Sequence, residues 1–351
     1  MAKKSLLLLP LVLIVAFFLS YIIKNTKLSF DKDAKYKANI PNVMRVAHVK
    51  NTNSNTFYRD IYVDRKPVPI IGKNDILVYV KSATFTQRDY DFFIHNQDKE
   101  EFVPCSDFSG VIVKVGEDVK DFEIGEKVFG IADLNNNGGA CAEYVSVASN
   151  NIYKMPYSLS FKQASAIPTP ALLNWFALHN LQKNGLNKGM VLVDDAVSEV
   201  GVMLTGMLVR EGYEVVAIDD DNARKLVNKI EVKQFISNTE FLNEKEKLLD
   251  KYDVVINLRH GLPINELVKL VKPKGTFISY EKTNVNREDI KTFIIDNKKI
   301  ETKIFADIAQ LVHLGKIQVK IAEEFNLENI RKAYEKALNG SVNGKVVVIV
   351  N

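Results

Sequence analysis

The feature that most constrains the fold is an alternation of apolar strand patterns and helical patterns in the second half of the chain. The predicted strands are Met190–Asp194, Glu214–Ile218, Asp253–Asn257 and Thr276–Tyr280. The helices between them are predicted at Val200–Arg210, through Arg224 and Lys225, and around Ile264–Leu270. Because a helix between two strands lets those strands run parallel, the pattern predicts an α/β fold with a doubly wound parallel sheet.

The part of the chain before this alternation has a strand pattern throughout. Between Met44 and about Val147, short segments rich in Val, Ile, Phe and Tyr are separated by glycines such as Gly116, Gly125 and Gly139. This pattern predicts a compact β domain in the form of a distorted barrel. The last part of the chain predicts two helices, near Ala306–Leu314 and Leu327–Leu338, and a closing strand KVVVIV.

An uncharged run of 19 residues, Ser5–Ile23, follows Lys3 and Lys4 at the N-terminus. As a helix it would span about 28 Å, close to the roughly 30 Å thickness of a bilayer's hydrocarbon core. A cleaved signal peptide is the alternative, but the run is long for one and no small-residue cleavage site follows it. We therefore expect one transmembrane helix over residues 1–24, followed by a polar stalk over residues 25–43.

Five lysines that follow the apolar run indicate the orientation of this anchor: Lys24, Lys27, Lys32, Lys35 and Lys37. The positive-inside rule then favours a single-pass protein whose large C-terminal part faces the cytoplasmic or matrix-like side. The membrane would be the mitochondrial inner membrane or the endoplasmic reticulum.

Composition argues against two classes of protein. Lys and Arg number 47 against 43 Asp and Glu, and a net charge of +4 is too small to indicate nucleic-acid binding. Cys105 and Cys141 can form at most one bridge, and neither has a partner at metal-binding spacing. We expect both cysteines to be small buried residues rather than part of a disulfide framework.

Several motifs occur in a fixed order from Met44 to the end: FVPCSDFSGVIVKVGEDVKDFEIGEKVFG, GGACAEYVSVASNNIYKMPYSLSFKQASAIPTPALLNWFAL, YDVVINLRHG, LVKPKGTFISY and NGKVVVIV. With them the chain resembles the medium-chain dehydrogenase/reductase family, in its zinc-free, quinone-oxidoreductase-like branch. The resemblance implies a GroES-like substrate domain over residues 44–165 and a Rossmann cofactor domain over residues 166–304. A return segment over residues 305–351 would pack on the GroES-like domain.

The resemblance also implies a chemistry. Active members transfer hydride from NADPH or NADH to a quinone or an activated alkene in the cleft between the domains. No histidine pairs with Cys105 or Cys141 at the spacing of the zinc-dependent relatives, so we expect no zinc. The family often forms homodimers through the sheet edge, here near Phe277–Tyr280. A subunit of a membrane complex is the other possibility.

Candidate site residues follow from the same resemblance, position by position. The catalytic candidates are Thr86, which replaces a frequent active-site Asn, and Asp89. The cofactor-binding candidates are Ala196, Ser198, Gly201, Asp219, Asn257 and Ser279. An acidic residue at the end of the second Rossmann strand commonly binds the ribose hydroxyls, which is the role implied for Asp219. The alternative for this acidic stretch is that it caps a helix.

The phosphate-binding loop departs from the family pattern. A glycine-rich loop is expected there, so that the pyrophosphate can reach the backbone N–H groups of the following helix. This chain reads DDAVSEVG over Asp194–Gly201, with Asp195, Ser198 and Glu199 in three glycine positions. Each carboxylate about 4 Å from a phosphate costs about 1 kcal/mol in water-like surroundings and about 4 kcal/mol at an effective dielectric near 20. We expect Glu199 or Asp195 to accept the helix N–H groups in place of a phosphate.

Further departures fall on the same implied cleft, at Leu173, Cys105, Arg259 and His260. Two functions therefore stay open. The first, slightly favoured, is a pseudoenzyme that serves as a structural or partner-binding subunit at the membrane. The second is an active zinc-independent NAD(P)H-dependent reductase of a hydrophobic quinone or enone.

Overall fold

The computed structural model describes residues 40–50, 60–96, 101–135, 138–258, 262–295, 302–315, 317, 319–338 and 344–351. The expected anchor Ser5–Ile23 and nearly all of the stalk lie outside these residues. Within the described ranges, no helix is both long and apolar enough to cross a bilayer.

The strands are β1 (Val43–Lys50), β2 (Ile61–Pro67), β3 (Asp75–Thr84), β4 (Glu101–Phe102), β5 (Asp107–Val115), β6 (Lys127–Ile131), β7 (Tyr144–Ala148), β8 (Ile152–Lys154), β9 (Met190–Asp194), β10 (Glu214–Asp219), β11 (Gln234–Ser237), β12 (Tyr252–Asn257), β13 (Val271–Ser279), β14 (Lys291–Ile294), β15 (Ile321–Asn326) and β16 (Lys345–Ile349). The helices are α1 (Gln87–His95), α2 (Phe161–Ser165), α3 (Pro168–Lys183), α4 (Glu199–Arg210), α5 (Arg224–Val227), α6 (Asn238–Glu244), α7 (Ile264–Val268), α8 (Thr302–His313) and α9 (Ile330–Leu338).

The Rossmann sheet contains six parallel strands in the order β11-β10-β9-β12-β13-β14. Neighbouring residues in these strands pack into different hydrophobic clusters on the two faces of the sheet. Val193 and Ile256 belong to one cluster, and Leu192 and Val255 belong to the other. Both faces are therefore buried, which explains why these strands are nearly continuous apolar runs. The predicted doubly wound parallel sheet is confirmed.

The GroES-like part contains a seven-stranded sheet in the order β15-β16-β3-β5-β6-β8, with β7 also paired to β3. A separate three-stranded sheet has the order β2-β1-β4. The closing strand β16 pairs antiparallel with β3, as Val348↔Ala83. The end of the chain thus completes a sheet that its first half began.

The two parts share an apolar core. Phe129 of β6 and Phe305 of α8 meet edge to face at 5.9 Å between ring centroids, and both belong to the cluster that contains Val193 of β9. Polar contacts add to this junction, since Thr169 Oγ1 of α3 donates to the carboxylate of Asp107 in β5 at 2.6 Å. The parts therefore pack as one body at this side of the molecule.

Several details differ from the sequence-based expectations. Helix α1 was not predicted, and neither was β14. Because β14 pairs with β13 as Phe277↔Thr292, Phe277–Tyr280 lies inside the sheet and not at its edge. Cys105 and Cys141 are both fully buried, as expected, but they are joined in a disulfide with 5.3 Å between their Cα atoms.

Candidate functional site

The loop that would bind a pyrophosphate connects β9 to α4. Ser198 is the N-cap of α4: its Oγ accepts a hydrogen bond from the N–H of Gly201 at 3.1 Å and donates one to the carbonyl of Asp195 at 2.8 Å. A Cβ at Gly201 would overlap that same carbonyl and lie 2.8 Å from the carbonyl carbon of Ala196. The loop therefore packs directly on the helix, and only glycine fits at this contact.

Asp219, at the end of β10, binds this loop. One carboxylate oxygen accepts the N–H of Val197 at 2.8 Å, and the other accepts the N–H of Asp220 at 2.8 Å. Burial raises the pKa of Asp219, and the hydrogen bond from Val197 counteracts part of that effect. A loop amide thus already has a carboxylate partner inside the protein. Ala196 is fully buried, and its N–H donates to the carbonyl of Ile218 at 3.1 Å.

Two more carboxylates lie at the carboxyl end of β9. Burial raises the pKa of Asp194 to about 7, and the charges of Asp195 and Asp219 raise it further, whereas the N–H of Leu262 lowers it. Asp195 also has a pKa raised to about 7, first by burial and then by the charge of Asp219. One oxygen of Asp194 accepts the N–H of Leu262 at 2.9 Å, and the other has no hydrogen-bond partner among the described residues. The acids repel one another, and they would also repel a phosphate.

Glu199 forms an ion pair with Lys345, the first residue of β16. The lysine side chain is only 4% exposed, whereas that of Glu199 is 36% exposed. Lys345 Nζ also donates to the carbonyl of Phe85 at 2.8 Å. The expectation that Glu199 or Asp195 would cap the helix is therefore wrong, because Ser198 has that position and Glu199 reaches across to Lys345.

Asn257 and Ser279 lie side by side at the ends of β12 and β13. Asn257 Nδ2 donates to Ser279 Oγ at 3.2 Å and to a carboxylate oxygen of Glu281 at 3.3 Å. Ser279 Oγ donates to the carbonyl of Glu281 at 2.9 Å. Asn257 is also in register with Asp194 of β9. The structure thus brings these candidates together at the carboxyl edge of the sheet, where they bind one another.

Thr86 and Asp89 make capping hydrogen bonds at the start of α1. Thr86 is the N-cap of α1, and Asp89 completes a capping box by accepting the N–H of Thr86 at 2.8 Å. The same carboxylate accepts the hydroxyl of Ser106 at 2.8 Å and the N–H of Cys105 at 2.6 Å. Burial raises the pKa of Asp89 although these bonds oppose the shift. The polar atoms of both residues thus hold the start of α1 and the segment before β5, and the catalytic role that the resemblance implies for them stays a prediction.

Asp107 is a buried acid that joins the two parts. It accepts the N–H of Thr169 at 2.8 Å and the hydroxyl of Thr169 at 2.6 Å, so β5 is bound to α3. Burial raises the pKa of Asp107 to about 7, although the positive charge of Lys345 lowers it. The sequence identified Asp107 only as part of a motif and missed Lys345 altogether. The available signal was a single charge at the start of the apolar strand KVVVIV.

Across the parts of the chain that the structure describes, no group of three or more His, Cys, Asp or Glu side chains is arranged to hold a metal ion. Arg259 and His260, which the sequence placed near the loop, lie outside the described residues.

Two family models match the chain. Residues 72–157 match the alcohol dehydrogenase GroES-like domain, and residues 230–348 match the zinc-binding dehydrogenase domain. Among related proteins, quinone-oxidoreductase QR1, chloroplastic, of Triphysaria versicolor is 25% identical over 80% of this chain and 92% of its own length. The mitochondrial NAD(P)H oxidoreductase RTN4IP1 of Danio rerio is 26% identical over 70% of this chain and 71% of its own.

Solved structures agree with the fold. The quinone oxidoreductase of Coxiella burnetii superimposes with a TM-score of 0.78 at 23% identity, covering 88% of this chain and all of that protein. The two domain matches occur in the chain order that the motifs predicted, and the described strands have the Rossmann order. This protein therefore belongs to the medium-chain dehydrogenase/reductase family, with quinone-oxidoreductase-like relatives.

Proposed function

We propose that this protein keeps the reductase fold without binding a nicotinamide dinucleotide at the usual loop, and that it acts as a structural or partner-binding subunit. The observation that carries this proposal is that polar groups of the loop Asp194–Gly201 are already paired within the protein. Its Val197 amide binds Asp219, its Gly201 amide binds Ser198, and Glu199 is paired with Lys345. Groups that would bind a pyrophosphate in a relative have protein partners here.

A pyrophosphate would bind at this loop only at an energetic cost. To reach the loop, a pyrophosphate would have to displace the Asp219 carboxylate from Val197, and leaving a buried amide or carboxylate without its partner costs about 1–3 kcal/mol. It would also approach the carboxyl groups of Asp194 and Asp195, which repel an anion when they are ionised. Since about 1.4 kcal/mol corresponds to a tenfold change in affinity, these terms together weaken binding by orders of magnitude. The residues present do not fit the pyrophosphate.

The second candidate is an active, zinc-independent NAD(P)H-dependent reductase of a hydrophobic quinone or enone. It is favoured by the names of the relatives, a quinone oxidoreductase and an NAD(P)H oxidoreductase. Asp219 also ends the second strand of the sheet, where a ribose-binding acid is expected. In this case Asp219 would leave Val197 when the dinucleotide binds.

One titration separates the two candidates. The full chain, purified in detergent, is titrated with NADPH and with NADH while the nicotinamide fluorescence is followed. We expect no saturable binding up to millimolar cofactor. Saturation at micromolar cofactor would establish the reductase candidate instead.

Repair variants then identify the cause of the lost binding. The triple variant Asp195→Gly, Ser198→Gly, Glu199→Gly removes both bulk and charge, and we expect it to restore binding. Its matched control, Asp195→Asn with Glu199→Gln, removes the charge and leaves the bulk. Binding by the control alone would assign the loss to electrostatics, whereas binding by neither variant would contradict the view that the loop closes the site.

The expected anchor would locate this subunit at a membrane. We propose that Ser5–Ile23 holds the protein in the mitochondrial inner membrane or the endoplasmic reticulum, with residues 44–351 on the matrix-like or cytoplasmic side. The mitochondrial name of one relative supports the first of these membranes. A homodimer and a larger membrane complex are both compatible with this proposal.

A further inference from the structure

We propose that Lys345 is an internal clasp: together with Glu199 it keeps the two domains closed beside the acidic loop. The inference rests on the proposed function, because it assigns to residues of this chain the bridging role that a ligand between the domains would otherwise have. The carrying observation is a buried cation whose partners lie on both sides of the domain junction.

The position of Lys345 makes it a bridge. It begins β16, which is paired with β3 in the GroES-like sheet. Its ammonium binds the Phe85 carbonyl on its own side at 2.8 Å and the Glu199 carboxylate at the start of α4 on the Rossmann side. Movement of α4 away from β16 would break the second contact and leave the first.

Because Lys345 is buried, loss of its ion pair with Glu199 would cost free energy. An ammonium with only 4% of its side chain exposed has lost nearly all of its water, so it needs counter-charges from the protein. Glu199 supplies one of these and Asp107 supplies another, since the Lys345 charge acts on that buried carboxyl. Asp107 is itself bonded to Thr169 of α3. The junction is therefore crossed twice by contacts of buried charged residues.

The space beside the clasp is small. A cavity of about 30 Å³ is lined by Ser198, Glu199, Lys320, Gly344 and Lys345. A volume of this size holds about one water molecule, whereas ligand pockets are usually about 300–1,000 Å³. This space is therefore too small for a dinucleotide. Lys320 lines the same cavity with an exposed side chain, which makes it a matched control for Lys345.

Hydrogen–deuterium exchange of the full chain in detergent tests the clasp. The variants are Glu199→Gln, Lys345→Met and the control Lys320→Met. We expect peptides from the start of α4 to exchange at least tenfold faster in the first two variants, because the closed junction protects them. Peptides from β1 and β2, remote from the clasp, and all peptides of Lys320→Met should exchange at the wild-type rate.

Unchanged exchange of the α4 peptides in Glu199→Gln would overturn the clasp. This variant decides the matter even if Lys345→Met does not fold, because Glu199 is the more exposed partner of the pair. The outcome is separate from that of the cofactor titration. Binding of NADPH by the wild type would overturn the proposed function, whereas slow exchange in Glu199→Gln without NADPH binding would overturn the clasp alone.

Discussion

Replacement of Asp194 by Asn should stabilise the protein at alkaline pH. The side chain is fully buried, one of its oxygens has no hydrogen-bond partner among the described residues, and its pKa is raised to about 7 from 3.8. The folded state therefore binds the Asp194 proton more tightly than the unfolded state does. Between these two values the unfolded chain has released this proton and the folded chain retains it, so stability falls as pH rises from about 4 to about 7.

The size of this stability penalty follows from the raised pKa of Asp194. A difference of about 3 pKa units at 1.36 kcal/mol per unit gives a penalty of about 4 kcal/mol at pH 8. Asn keeps an oxygen that can accept the Leu262 N–H and removes the charge. Because part of the repulsion is shared with Asp195, we expect Asp194→Asn to gain about 2–4 kcal/mol at pH 8 and little at pH 4.

Urea unfolding, followed through Trp175, the single tryptophan, measures this difference at both pH values. Asp253→Asn is the matched control on the neighbouring strand. Asp253 pairs with Lys272 at 2.8 Å and its pKa is lowered, so its replacement should destabilise the protein at pH 8. If Asp194→Asn lost as much stability at pH 8 as at pH 4, the carboxylate would not be penalised by burial and our account of the acidic loop would be wrong.

Three other outcomes test separate parts of the structure. Gly201→Ala should lower the free energy of unfolding, measured in urea, by at least about 2 kcal/mol, because the new Cβ would meet the loop backbone. Gly206→Ala on the same helix should cost far less, because its Cβ would meet only the end of a flexible side chain. Cys141→Ser should cost about 3–4 kcal/mol, since the bond to Cys105 closes a loop over a sequence separation of 36 residues; free thiols in the denatured, unreduced wild type would refute the bond. Deletion of residues 1–24 should release the protein from membranes that retain the full chain during alkaline carbonate extraction, and retention of the shortened chain would contradict the anchor.

The strands of the Rossmann sheet were predictable because they are buried on both faces. Runs such as Met190–Asp194 have no position where water would select a polar residue, so the apolar pattern is nearly continuous. The edge strand β14 was missed for the opposite reason: KTFI is short and mostly exposed. Helix α1 was missed although its capping box, Thr86 with Asp89, is a sequence signature of a helix start.

The candidate site was less predictable, because its key contacts join distant parts of the chain. The sequence correctly placed Asn257 and Ser279 at the carboxyl ends of strands, since parallel strands end at one edge of a sheet. It could not find the pair of Glu199 with Lys345, which are more than 100 residues apart. Thr86 was predicted to be catalytic from its position in the family pattern, and that pattern did not reveal that its hydroxyl also caps α1.

The return of β16 to the sheet begun by β3 has a consequence for biosynthesis. The Rossmann strands β9 to β14 are made between these two partners, so they can fold as soon as they leave the ribosome. The GroES-like sheet cannot be completed until β16 has emerged, and until then Ser82–Thr84 of β3 have no partner on that edge, where β7 pairs only with Asp75–Tyr79. An exposed strand edge is prone to aggregate. Chaperones should therefore bind the nascent GroES-like part for longer than the Rossmann part, and the contact of Lys345 with Glu199 should be among the last to form.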